Sequence, residues 1–130
     1  MTCVTYIYMS FLTTHIRNNM VEILLYTRRN ELIGSSRSFI NNKMAVLANL
    51  HVSDDFKYLG YGSHIIRETE HNLKTIFPIQ TINLLAWQPS GGSEVIDFYK
   101  KHGFDLTDSK TETFDDYSQI FDLKRMHKDM

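Results

Sequence analysis

The sequence predicts an α/β domain: a mixed, mostly antiparallel sheet with helices packed on it. Three observations predict this. The first forty-odd residues place apolar side chains with a period of two, as half-buried strands do. The period lengthens to helical spacing between Gly60 and Ile76, and again after Ser93. Short apolar runs of strand length lie before, between and after those two stretches, so the second half reads strand, helix, strand, helix, strand.

Each element has a local reason. Val4 to Leu12 is a fairly apolar opening without a basic leader or a small-residue cleavage pattern. Val21 to Thr27 alternates Val21, Ile23 and Leu25 against Glu22 and Leu24, and Leu32 to Ile40 follows a polar turn at Arg28 to Glu31. Asn41-Asn42 offers a tight turn, because asparagine tolerates the left-handed backbone that hairpins require. Met44 to Val52 is almost uninterrupted in apolar content, which predicts burial on both faces. From Gly60, the residues Ile65, Ile66, Leu73 and Ile76 recur on one helical face, while Arg67, Glu68, Glu70, His71 and Lys74 point outward. Pro78 ends that helix. Ile79 to Trp87 reads as a buried strand, and Ser93 caps a second helix that turns Val95, Ile96 and Tyr99 inward and stops at Gly103. Phe104 to Leu106 and Gln119 to Leu123 are short strands. Met44–Val52, the first helix and Ile79–Trp87 make a crossover unit with parallel strands.

A chain of 130 residues, 42% hydrophobic and 22% charged, suits one globular domain over 1–130 and is too apolar for disorder. Its formal charge of -1 gives no bulk field for nucleic acid, so nucleic-acid binding is not expected. The single cysteine, Cys3, excludes an intrachain disulfide and a cysteine-based zinc site. His64, Glu68 and His71 lie along one exposed helix without the HExxH arrangement, so no metal is expected. Nothing is long enough to span a bilayer, and a cytoplasmic protein without a membrane partner is the expectation.

The stretch that carries chemistry is Lys57-Tyr58-Leu59-Gly60-Tyr61-Gly62-Ser63, between a strand and a helix. Two glycines one residue apart permit a tight turn and a close backbone approach. The first amides of the helix lack internal acceptors, and with the helix dipole they form an anion site suited to a pyrophosphate. Lys57 adds positive charge at its rim. A dinucleotide fingerprint would need a third glycine at Ile65, and a P-loop would need Gly-Lys-Ser/Thr; the sequence has neither.

The run Val52-x4-Lys57-x-x-Gly60-x-Gly62-Ser63 resembles the acetyl-CoA motif of the GNAT N-acetyltransferase superfamily, whose usual form is Gln/Arg-x-x-Gly-x-Gly/Ala. Phe98-Tyr99-Lys100-Lys101-His102-Gly103-Phe104 is similar to that family's FYxxxGF helix ending, and the separation of the two motifs agrees. The resemblance covers about Met44 to Leu106. It implies a sheet whose two central parallel strands, Met44–Val52 and Ile79–Trp87, splay apart. Pantetheine would lie in the gap, bonded to backbone at Leu50, His51 and Val52, and the pyrophosphate would sit on the amides from Tyr58 to Ser63. An extended amide chain satisfies the backbone groups that splaying leaves unpaired. The implied co-substrate is acetyl-CoA, the implied activity acetyl transfer to a primary amine, and no metal is implied.

By the same carry-over, Tyr99 is the general acid that protonates the departing thiolate. The general base stays open. The glutamate that some relatives carry before the glycine turn is Val46 here; His51 stands on the same strand, and Asp54, Asp55, Asp115, Asp116 and Tyr117 are further options. The coenzyme-binding asparagine of many relatives is replaced by Gly92, so Ser93 or a glycine amide would have to substitute.

Only about Ser10 to Asn19 is left where the family places two helices, so at most one short helix fits. The acceptor groove is then open, suiting a peptide or protein lysine or an N-terminus, unless a second protomer closes it; monomer and homodimer both remain. The competing reading is a non-catalytic module that binds an acyl-CoA or a protein.

Overall fold

A computed structural model describes residues 2–7, 10–108, 111–116 and 119–130. Among them, nine strands form one sheet in the order β1-β2-β3-β4-β5-β6-β9-β7, with β8 paired to β9. The strands are β1 (Thr2–Ile7), β2 (Ser10–Arg17), β3 (Met20–Thr27), β4 (Leu32–Asn41), β5 (Met44–Val52), β6 (Thr81–Pro89), β7 (Asp105–Leu106), β8 (Glu112–Asp116) and β9 (Gln119–Asp129). Helix α1 (Tyr61–Ile76) joins β5 to β6, and α2 (Glu94–Lys101) joins β6 to β7.

β1 to β5 form the expected antiparallel meander, with tight turns at Asn18, Asn30 and Asn42, each at positive φ. β5 and β6 are the parallel pair. The sheet is therefore mixed and mostly antiparallel, as predicted.

Both helices lie on one face. Ile65, Ile66 and Leu73 of α1, together with Ile96 and Tyr99 of α2, join Val21, Ile23, Leu25, Ile33, Ala45, Leu47, Ile82, Leu84 and Met126 in a single buried cluster. Thr69, not Ile76, supplies the remaining buried contact of α1. Its hydroxyl lies 2.6 Å from that of Ser36 and donates to the Ile65 carbonyl, which keeps a polar side chain satisfied inside. Ile76 is exposed at the helix end.

The room for at most one short helix between Ser10 and Asn19 holds none: Ser10–Arg17 is a strand whose Ser10, Leu12 and Thr14 turn into the core while the residues between them face the other side. Two other expectations are corrected. β5 and β6 are not buried on both faces, since Val46, Leu85 and Trp87 are exposed on the side that carries no helix. The last strand runs on to Asp129, well past Leu123, because β6 pairs with β9 from Pro89↔Phe121 to Thr81↔Asp129.

Pairing between β5 and β6 spans only Met44↔Thr81 to Leu47↔Leu84 and then stops. The cause lies one residue further on. The β4–β5 register shifts between Arg37↔Asn49 and Ser38↔Leu47, leaving Ala48 as an extra residue in β5. Such a bulge bends its strand and raises the local twist. It also reverses the side-chain alternation: Ala45 and Leu47 face the helices before it, Leu50 and Val52 after it. β5 thus bends away from β6, and the two strands open a gap towards their C-terminal ends.

Candidate active site

The gap is a cleft of about 420 Å³ walled by Val46 to Leu50 of β5, Leu85 to Trp87 of β6, and Val95 and Tyr99 of α2. Both strands keep their outer neighbours, β4 and β9, so the backbone groups left without a strand partner are those facing the gap. Unpaired backbone in a half-buried cleft calls for a ligand with its own donors and acceptors in extended array.

At the end of β5 the chain enters a helical turn over Asp54–Phe56, then two left-handed residues, Tyr58 at φ 63° and Gly60 at φ 88°. Glycine adopts this backbone freely, whereas tyrosine does so at a cost of about 1 kcal/mol. Tyr58 is 86% exposed, so no packing of its ring offsets that cost. Gly60 caps α1 without any side-chain cap, and the first helical bond runs from the His64 amide to the Gly60 carbonyl at 3.2 Å. The Tyr61, Gly62 and Ser63 amides therefore have no acceptor among the described residues. They form an anion cradle at the positive end of a 16-residue helix.

The cradle adjoins the cleft. A Cβ on Gly62 would stand 3.3 Å from the Phe98 ring and 3.6 Å from the Val52 side chain, so α1 starts in contact with the end of β5 and with α2. Ser63 Oγ lies 2.9 Å from His102 Nε2, a bond between the first turn of α1 and the last of α2. Burial, then the charges of Arg67, Lys101 and Lys128, push the His102 imidazole below its usual pKa.

Tyr99 is 9% exposed, its ring edge-on to Phe98 at 5.3 Å and Phe104 at 5.7 Å. Burial pushes its phenol up to about 12, and among the described residues its hydroxyl has no hydrogen-bond partner. A weakly acidic, unengaged hydroxyl in the wall of a cleft is a donor held in reserve. Gln88, buried beneath α2, accepts from the Ile96 amide at 3.3 Å and holds the helix that carries Tyr99.

Other residues singled out from the sequence lie around this frame. Leu50 and Val52 pack towards the helices, while His51 is exposed on β5 and does not line the cleft. Lys57 is ion-paired with Asp54 at 2.9 Å; the contact raises the lysine pKa and lowers that of the carboxyl. Leu59 is exposed, and Tyr61 is half-buried with its ring edge-on to Phe56. Ser93 is the N-cap of α2, but its hydroxyl makes no capping bond. Asp54, Asp55 and Asp115 are exposed and also stand outside the cleft. Tyr117 and the side chain of Asp116 lie outside the described residues. Sequence reasoning missed Asn49, Leu85, Trp87 and Val95 as cleft residues, since nothing in an apolar run says which members border a gap. It also missed His102, whose partner is 39 residues away.

No family model matches the sequence, and no curated protein matches it. Solved structures do. The spermidine/spermine N-acetyltransferase SpeG of Vibrio cholerae, solved with manganese ions, superposes with a TM-score of 0.71 at 18% identity, over 86% of this chain and 66% of its own. A GNAT family acetyltransferase from Elizabethkingia anophelis, solved with acetyl-CoA bound, gives 0.69 at 16% identity, over 86% of this chain and 77% of its own. This chain has the GNAT acetyltransferase fold. The PaiA N-acetyltransferase of Thermoplasma acidophilum, solved with coenzyme A, agrees: TM-score 0.64, 21% identity, 86% of this chain and 62% of that one. The chain thus spans between 62% and 77% of the length of these structures. Among its described residues, no helix is long and apolar enough to cross a membrane.

Proposed function

We propose that this chain transfers an acetyl group from acetyl-CoA to the primary amine of a peptide or protein. The observation that carries the reading is the alignment of three features along one cleft: the unpaired strand edges of β5 and β6, the free amides at the start of α1, and the Tyr99 hydroxyl in the wall. These fit coenzyme A in kind. Pantetheine is an extended diamide that can pair with backbone at Leu50 to Val52, and a pyrophosphate suits the Tyr58 to Ser63 cradle with Lys57 at its rim. Bound there, acetyl-CoA supplies the activated acyl group.

The chain's own part is positioning and proton management. Tyr99, at about 12, is protonated throughout the physiological range. It is a weaker acid than a thiol, whose pKa is about 8.5. Its hydroxyl therefore acts chiefly by donating a hydrogen bond to sulphur as charge builds there, and the leaving thiolate draws on that proton only while the C–S bond breaks.

Calorimetry with coenzyme A, followed by thiol release across a panel of amines, tests the reading. Tyr99→Phe is expected to lower kcat by roughly 100-fold while coenzyme A binds within a factor of about 3. Unchanged turnover in Tyr99→Phe removes the residue from catalysis. One observation favours the second reading, an acyl-CoA-binding module: no described carboxylate or imidazole lines the cleft. Tight coenzyme binding without turnover on any amine would establish it.

A further inference from the structure

We infer that the acceptor is a weakly basic amine, the N-terminal α-amino group of a peptide chain whose first residue is apolar; this rests on the acetyl-transfer reading. The cleft wall is the first reason. Its side chains are those of Val46, Leu47, Leu50, Leu85, Trp87 and Tyr99 with a few small or neutral neighbours, and among the described residues none is a carboxylate, an imidazole or an ammonium. An ammonium group that enters such a wall loses water and finds no ion to replace it. Among the described lining residues it also meets no base to remove its proton, so the amine this wall favours is the one already neutral in solution.

That condition sorts amines by basicity. An α-amino group has a reference pKa of 7.7–8.0 and a lysine about 10.4, so at pH 7.5 the neutral fraction of the former is on the order of 200-fold larger. The greater nucleophilicity of lysine recovers only part of that difference.

The surroundings of the cleft give the second reason. It opens onto the helix-free face of the sheet, where Val46 stands opposite Phe39 across β4 and β5, and Leu85 and Trp87 follow on β6. Trp87 continues into Phe114 of β8 at a ring distance of 5.2 Å. The strip is apolar, exposed and continuous with the cleft. On the same face Glu22 binds Arg37 at 2.7 Å, and Glu112 binds Arg125 at 3.5 Å. An open strip suits an extended chain that lays its first side chain on Leu85 and Trp87, whereas a small aryl amine would need walls on its other sides.

The step balances without an added base. The neutral nitrogen forms an N–C bond to the acetyl carbonyl carbon, the C–S bond breaks, and Tyr99 hydrogen-bonds the departing sulphur. The proton lost from nitrogen goes to solvent or to the thiolate, giving an amide and free thiol.

The test compares kcat/KM on the full chain with acetyl-CoA and five acceptors: a pentapeptide beginning with Leu, the same peptide beginning with Asp, an Nα-blocked peptide with one lysine, spermidine, and aniline. The Leu peptide should exceed each other acceptor by 10-fold or more. Its kcat/KM should rise with unit slope to an inflection near the α-amine pKa, about 8. Trp87→Ser should raise its KM about 10-fold and change kcat far less. Faster turnover of the lysine peptide, spermidine or aniline overturns the inference and leaves acetyl transfer standing. Coenzyme binding with no turnover of any acceptor overturns acetyl transfer itself, and the inference with it.

Discussion

At the scale of single residues, the site depends on groups whose state is set by what surrounds them. His102 is the clearest case. Its folded pKa lies below the usual imidazole value because burial and the nearby Arg67, Lys101 and Lys128 disfavour the cation. Above pH 6.5 both folded and unfolded chains hold it neutral and it costs nothing. As the pH falls below 6.5, the unfolded chain takes up the proton first, so stability drops through the window between 6.5 and the lowered folded value. Coenzyme binding should run the other way. A protonated His102 must donate to Ser63 Oγ, which frees the serine proton for a phosphate and adds positive charge at the cradle. Chemical denaturation and calorimetry between pH 5 and 7.5 should show stability falling and coenzyme A affinity rising on acidification. Both slopes should flatten in His102→Asn; slopes kept in that variant would assign them to another group. Tyr58 and Gly60 are legible in the sequence as a turn, but the left-handed backbone of Tyr58, two residues before the left-handed Gly60, is not, since tyrosine carries no preference for that conformation.

At the scale of elements, the decisive feature is one extra residue. Ala48 bulges β5, the bulge ends the pairing with β6 at Leu47↔Leu84, and the gap between them becomes the cleft. Periodicity located β5 at Met44–Val52 with the bounds it has in the structure, and it located both helices to within a residue or two at most ends. It could not locate the bulge, because a bulge is defined by the partner strand and β5 is apolar on both sides of it. For the same reason the exposed Val46, Leu85 and Trp87 read as core. Between Ser10 and Asn19, where at most one short helix fits, the β-branched Thr13, Thr14 and Ile16 favour a strand that extends the meander. What keeps α1 tight against the bent strand is Gly34 of β4. A Cβ there would stand 2.5 Å from the His51 carbonyl oxygen and 2.8 Å from Ile65 Cδ1. Since a backbone atom is one of the two, the contact cannot be relieved by a rotamer change. Gly34→Ala should cost about 1–3 kcal/mol, measured by urea denaturation, and should weaken coenzyme A several-fold by displacing the cradle from the end of β5. A neutral substitution would show that α1 is free to shift over β4.

At the scale of the whole molecule, the sheet divides into a face covered by two helices and a face left bare, and the proposed chemistry runs through the gap between them. The coenzyme's features match the covered side, where α1 begins, and the acceptor's match the bare side, where Phe39, Val46, Leu85 and Trp87 are exposed. Holding the gap open while the halves stay joined is a task for long-range contacts, and β9 provides them. It pairs with β6 along its length, receives β7 and β8, and near its end sends Lys128 over the helices. There the ammonium donates to both carboxylate oxygens of Glu70 on α1, at 3.0 and 3.1 Å, and to the His102 carbonyl at the end of α2, at 2.7 Å, and lies 5.9 Å from the centre of the Phe104 ring. One side chain so ties the last long strand to both helices. Its removal leaves a largely buried carboxylate and a helix-end carbonyl without that donor, a loss of about 2 kcal/mol for charged hydrogen bonds of this kind. Lys128→Met should accordingly lower Tm by roughly 8 °C. Adding Glu70→Gln to Lys128→Met should restore part of that loss, because the unpaired charge disappears with it. If the two substitutions are instead additive, the tie is carried by the His102 carbonyl, and only the α2 end of the molecule depends on Lys128.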